Sequence, residues 1–227
     1  MHRSVNTILI FFVFLFAGCA LVLGYHYWSS DFSGEITKPS ITTKFSLANA
    51  PSESLRGEIA SMSGTVEWLS RTAANPIQVK NGQQIMQGEE VTTGKNGWVV
   101  ITIQNDAALQ LLADTDLRVV QLLPQNFVFV QDKGSIEYQN TQSVPVSIRS
   151  FDLVSILNNG TVDYVVDQKE QTITASVKKG SMRSAYEDSQ NNSQVMTAQA
   201  GQTVQFDETT REGTVQGEPI KQNSGPF

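Results

Sequence analysis

Asp114-Thr115-Asp116 sets two carboxylates two positions apart, so on a strand both would point the same way and could offer oxygen to a hard cation such as calcium. A turn rich in Asp that caps its own backbone is the commoner use of such a triplet. Glu89-Glu90 is a second acidic pair, and general acid–base work on a glycosidic bond needs two carboxylates. Neighbours on a strand face opposite sides, so these two cannot flank one bond together. Trp68, Trp98, Tyr138 and Tyr164 could form an aromatic platform for sugar or peptidoglycan, although aromatic residues on strands more often pack in the core. Lys178-Lys179 is too small a basic patch to define an anion site.

The remaining chemistry is limited by what is missing. The one cysteine, Cys19, and the two histidines, His2 and His26, all fall in the first 26 residues. Everything beyond lacks the side chains for a Cys/His zinc site, a Ser-His-Asp triad or a thiol nucleophile. No catalytic, cofactor-binding or metal-binding residue is assigned, no cofactor is expected, and the chain is read as a non-enzyme. With 16 Lys and Arg against 22 Asp and Glu, a net charge of -6, it also lacks the clustered cations that nucleic acid requires.

The elements that would position these residues begin with an anchor. Thr7 to Trp28 is apolar almost throughout and free of charge. As a helix it reaches roughly 33 Å, enough to cross a hydrocarbon core of about 30 Å. Tyr25, Tyr27 and Trp28 gather at its far end, where amphipathic rings prefer the headgroup level. Arg3 precedes the segment and Asp31 follows it, which predicts residues 1–6 as a cytoplasmic stub, 7–28 as a transmembrane helix and the rest outside. Phe16-Ala17-Gly18-Cys19 leaves a lipoprotein box or a cleaved signal peptide as alternatives to the uncleaved anchor. All three place the body on the same side of a bacterial cytoplasmic membrane, in the periplasm or outside.

Residues 29–55 hold no sustained period and read as a flexible tether; residues 208–227 are similarly polar and read as a disordered tail. Residues 56–207 alternate in short runs: Val99, Ile101 and Ile103; Phe127 and Phe129; Val162, Tyr164 and Val166; Ile173, Ala175 and Val177. Turn signals at Asn81-Gly82, Asn96-Gly97, Asn158-Asn159-Gly160 and Lys179-Gly180 separate them. The pattern predicts an all-β domain, sandwich-like or an irregular solenoid. A weak, irregular repeat runs through it, in which a glycine turn feeds a strand and a second turn returns the chain: Gly64-Thr65-Val66 is followed by Gly82-Gln83-Gln84, Gly180-Ser181-Met182 by Gly201-Gln202-Thr203, and Gly134-Ser135-Ile136 and Gly160-Thr161-Val162 echo the first element.

SGTVEW (63–68), the long stretch from Asn81 to Val119 with Gly88, Glu89, Val91, Thr93 and Gly94, then KKGSMRSAY (178–186) and AGQTVQF (200–206) resemble the FecR-like extracytoplasmic domain family. The resemblance covers about residues 58–207 and rests on structural glycines and β alternation. Asp106-Ala107-Ala108 departs from the Asp-Gly-Ser/Thr turn common in that family. Members that regulate sigma factors carry a cytoplasmic helical domain before the span, where this chain has about six residues. The resemblance implies a protein-interaction, scaffold or signalling module with a protein partner in the envelope. A cell-wall glycan-binding module and a sensory subunit signalling to a separate membrane partner are the alternatives.

Overall fold

The structure, a computed structural model, describes residues 54–104, 106–141 and 144–220. The predicted stub, span and most of the tether lie outside these residues. Among the described residues no helix is long and apolar enough to cross a membrane. All regular structure there is strand, as the alternation predicts. In chain order the strands are β1 (Gly57–Ser63), β2 (Val66–Leu69), β3 (Ile77–Gln78), β4 (Gln84–Ile85) and β5 (Glu90–Thr93). Next come β6 (Trp98–Ile103), β7 (Ala107–Leu111), β8 (Asp116–Leu123), β9 (Asn126–Asn140) and β10 (Val146–Ser150). The last are β11 (Leu153–Asp167), β12 (Thr172–Glu187), β13 (Ser193–Gln199), β14 (Thr203–Asp207) and β15 (Glu212–Gln216).

All fifteen strands join one hydrogen-bonded sheet, and three of them explain how one sheet encloses a core. The first half of β9 pairs with β8 and β10, its second half with β7 and β11. β11 and β12 divide in the same way, at Gly160 and Gly180. The pairings therefore form two layers. One runs β13, late β12, early β11, β10, early β9, β8, β5, β2, β3; the other runs β15, β14, early β12, late β11, late β9, β7, β6, β1, β4. Only β9–β10 is parallel. The layers face each other across a single apolar cluster, with Phe129 against Tyr138 at 6.0 Å and Tyr186 against Phe206 at 5.0 Å between ring centroids.

The repeated glycines sit where the chain passes between layers, and Gly64, Gly134, Gly160, Gly180 and Gly201 all have positive φ. In each long strand the inward phase changes there. Phe127, Phe129 and Gln131 point in before Gly134, but Ile136, Tyr138 and Asn140 after it; Ile173, Ala175 and Val177 give way to Met182 and Ser184 across Gly180. One extra residue at a bend shifts a period of two, which is what a β-bulge does. The turns predicted at Asn158-Asn159-Gly160 and Lys179-Gly180 are therefore corrected: the chain bends at those points and stays in one strand. A Cβ on Gly160 would overlap the Lys179 carbonyl, and one on Gly180 the Asn159 carbonyl, because the two glycines face each other across β11 and β12.

The predicted tail is corrected too. β15 lies within it and pairs with β14, with Val215 packed on the core and Gly213 N–H donating to the Tyr186 hydroxyl at 3.0 Å. Residues 221–227 lie outside the described residues. At the other boundary Leu55, assigned to the tether, donates its N–H to Leu122 O and packs on the core.

Candidate functional site

Asp114 and Asp116 come together, but the cation they meet is a lysine. Asp114 has φ +54°, so the triplet turns the chain from β7 into β8 as it passes between layers. Lys133, reaching from β9, lies 2.9 Å from Asp114 Oδ1 and 3.7 Å from Asp116 Oδ2. Its hydrogen bond holds the Asp114 carboxyl below the usual range, and the same bond raises the ammonium. Thr115 between them is buried and accepts the Ser135 N–H at 3.0 Å. Among the described residues no group of three or more His, Cys, Asp or Glu is placed to hold a metal.

Glu89 and Glu90 separate as the alternation requires. Glu89 is buried, and its Oε2 accepts the Trp68 indole N–H at 2.9 Å and the Met86 backbone N–H at 2.8 Å. That carboxylate ties β2 to the turn before β5, both bonds falling on the one oxygen. The four aromatic residues are not gathered into a platform. Tyr138 and Tyr164 are buried at 1% and 0% exposure, Trp68 is partly buried against the core, and Trp98 is 37% exposed.

Lys178 of the lysine pair bridges two strands. Glu137 and Asp163 stand directly opposite one another on β9 and β11, a like-charge pair that would destabilise the ladder. Lys178 Nζ lies 2.7 Å from Asp163 and 2.6 Å from Glu137 and satisfies both. Those bonds raise the ammonium, Asp163 first, and the Lys178 bond lowers Glu137. Lys178→Met is expected to destabilise the domain by about 1 kcal/mol, held to that size by solvent screening of a half-exposed ammonium. Glu137, with its folded value depressed, contributes above its ordinary 4.5 and loses that contribution as pH falls through the folded value. The variant's deficit in urea midpoint should therefore be full at pH 7 and shrink below pH 4.5; a deficit indifferent to acid would refute the bridge.

Sequence reasoning missed a buried polar cluster. Gln131 is fully buried and donates Nε2–H to Gly134 O at 2.9 Å and Tyr164 O at 3.2 Å, while its Oε1 accepts the Tyr138 hydroxyl at 3.2 Å. These bonds tie early β9 to the opposite layer. Ser150 donates to Gln131 O and Ser155 shares a bond with Ser184, and the Tyr164 hydroxyl beside these two serines completes no hydrogen bond of its own. Burial pushes Tyr138 well above its ordinary value and Tyr164 up to about 12. The available signal was phase: Gln131 continues the inward positions of Phe127 and Phe129.

The open surface carries different chemistry. A groove of about 560 Å³ follows the seam beside Gly180 and is lined by Asn158, Asn159, Lys179, Gln199 and Ile220, amides and one ammonium with no carboxylate. The ends of the two layers are unequal. β3 and β4, at one end, have two residues each, whereas β13 and β15, at the other, have seven and five.

No family model matches the sequence, and no curated protein matches it. Among solved structures the chain is similar to two from Parabacteroides distasonis, crystal structures at 2.50 and 1.65 Å resolution that each carry the provisional name anti-sigma factor. Each superposes with a TM-score of 0.50 at 14% identity over 57% of this chain and 60% of that one. The likeness is one of fold. It spans less than two thirds of the length of each.

Proposed function

We propose that this chain is a membrane-anchored, extracytoplasmic FecR-like module that acts by protein contact in envelope signalling or scaffolding, without chemistry of its own. The fold likeness to a protein provisionally named an anti-sigma factor carries this reading, and the residue resemblance at 63–68, 81–119, 178–186 and 200–206 agrees with it. The ionisable groups support it further: Glu89, Asp114, Glu137 and Asp163 are engaged in bonds that hold strands and turns together, and Asp116 lies in ion-pair range of Lys133 at 3.7 Å. Segment 7–28 would hold the module at the cytoplasmic membrane with its β domain outside.

Site-specific photocrosslinking in intact cells tests it, with the probe placed at exposed positions Trp98, Leu112 and Val165. Crosslinks to one defined envelope protein are the expected outcome, together with protection of the β domain from protease added on the cytoplasmic face. Hydrolysis of peptidoglycan or peptide by the purified chain would defeat the reading, as would cleavage of the domain from the cytoplasmic side.

A further inference from the structure

At the end of the stack away from β3 and β4, both layers finish in a strand that, among the described residues, is paired on one side only: β13 on β12 and β15 on β14. Sheet edges are normally protected by charge, proline, a bulge or short length. β3 and β4 are protected by length. β13 has none of these protections: Ser193–Gln199 carries no charge and no proline, and pairs with β12 over all seven positions without a register shift. It belongs to an uncharged run from Ser189 to Phe206, in a chain of net charge -6.

We propose that β13 is a self-association edge, through which a second copy of this chain pairs antiparallel about a two-fold axis at Met196. The register is self-complementary. Val195 of one copy then faces Thr197 of the other, Gln194 faces Ala198, and Ser193 faces Gln199. Opposite positions share the same parity, so the half-buried Met196 meets its own copy on the axis and the buried Ala198 meets the exposed Gln194. Val195, 55% exposed, gains a β-branched neighbour, a favourable cross-strand pair. Charge selects the occupant: copies of an acidic chain repel wherever their acidic surfaces meet, and the neutral edge lets them approach without opposing like charges. A single self-complementary patch is also what a closed two-fold dimer requires. The two-residue strands at the far end are too short to complete β13 head to tail. This pairing goes beyond the envelope-partner reading and does not depend on it.

Sedimentation velocity of the full chain in mild detergent, across the micromolar range, reads the result. A reversible monomer–dimer equilibrium is expected. Val195→Lys with Thr197→Lys opposes two lysines at each end of the pairing and should raise the dissociation constant at least ~10-fold. Val195→Lys with Thr197→Glu sets opposite charges face to face and should restore the dimer. Should the double-lysine variant lose its β signal, Val195→Cys with Thr197→Cys in a Cys19→Ser background carries the test, with a disulfide-linked dimer expected under mild oxidation. A chain monomeric throughout, because residues outside the described ones cover β13 or for any other reason, overturns the proposal. So does a dimer indifferent to the lysine pair, which would join through another surface such as segment 7–28.

Discussion

Valine in place of Gly160 or Gly180 should leave the domain unfolded or close to it, with a loss on the order of 4 kcal/mol or more. Two effects add. Each glycine has positive φ, 136° and 76°, where a β-branched residue is strained by about 1–3 kcal/mol. Each also faces the other strand's backbone so closely that a Cβ would overlap a carbonyl oxygen, and backbone cannot yield as a flexible side chain can. Marginal domains hold only about 5–15 kcal/mol in total, so one such substitution takes a large share. Gly82→Ala is the control: φ is +75°, yet nothing lies within 4 Å of the added carbon, and the loss should stay near 1 kcal/mol. Urea unfolding of the full chain distinguishes them. Equal losses at Gly82 and Gly180 would mean that strain alone, and not the close approach of β11 and β12, fixes these positions.

Alkali should unfold the domain between about pH 10 and 12, with the phenolate absorbance of Tyr138 and Tyr164, read as the difference from their phenylalanine variants, changing together with the β signal. Tyr164 is held up to about 12 by burial, against 10.0 when exposed, so the folded state binds that proton more tightly than the unfolded state. Its contribution is complete below pH 10 and is lost as pH rises towards the folded value, roughly 3 kcal/mol in all. Tyr138, raised by burial and by its neighbour Tyr164, adds in the same direction. The two phenylalanine substitutions should separate at neutral pH. Tyr164→Phe removes a hydroxyl without a partner and should be neutral or slightly stabilising, while Tyr138→Phe strips a bond from buried Gln131 Oε1 and should lose about 1–3 kcal/mol. Phenolate that appears near pH 10 with the sheet intact and is missing from both phenylalanine variants would show that neither ring is enclosed.

Alternation made the all-β class legible, because Val99, Ile101 and Ile103, or Val162, Tyr164 and Val166, repeat the period of a half-buried strand. The glycines were also visible, and their shared setting before a strand was readable as a repeat. Their meaning was not. A bend that shifts inward phase by one residue breaks a period of two just as a reversal does, so β11 and β12 looked like shorter strands joined by turns. β15 escaped because only Gly213 and Val215 point inward, too few to register as a pattern. The acidic clusters were legible as residues and opaque as chemistry. Asp114 and Asp116 acquire Lys133, and Glu137 and Asp163 acquire Lys178, only through register between strands far apart in sequence.

The division of β9 between the layers bears on the order in which a ribosome delivers this chain. Early β9 is bordered by β8 and β10, and late β9 by β7 and β11, so it joins everything made before it to everything made after. Once Asn140 has emerged, β7 and β8 are at hand for one border of β9, and the other border waits for β10 and β11. A nascent chain at that stage presents a fifteen-residue template to any passing strand. Asp132, Lys133 and Glu137 place charge along it, as gatekeeper residues do: the first two pair with Arg118 and Asp114 from chain already made, and Glu137 waits for Lys178 from β12.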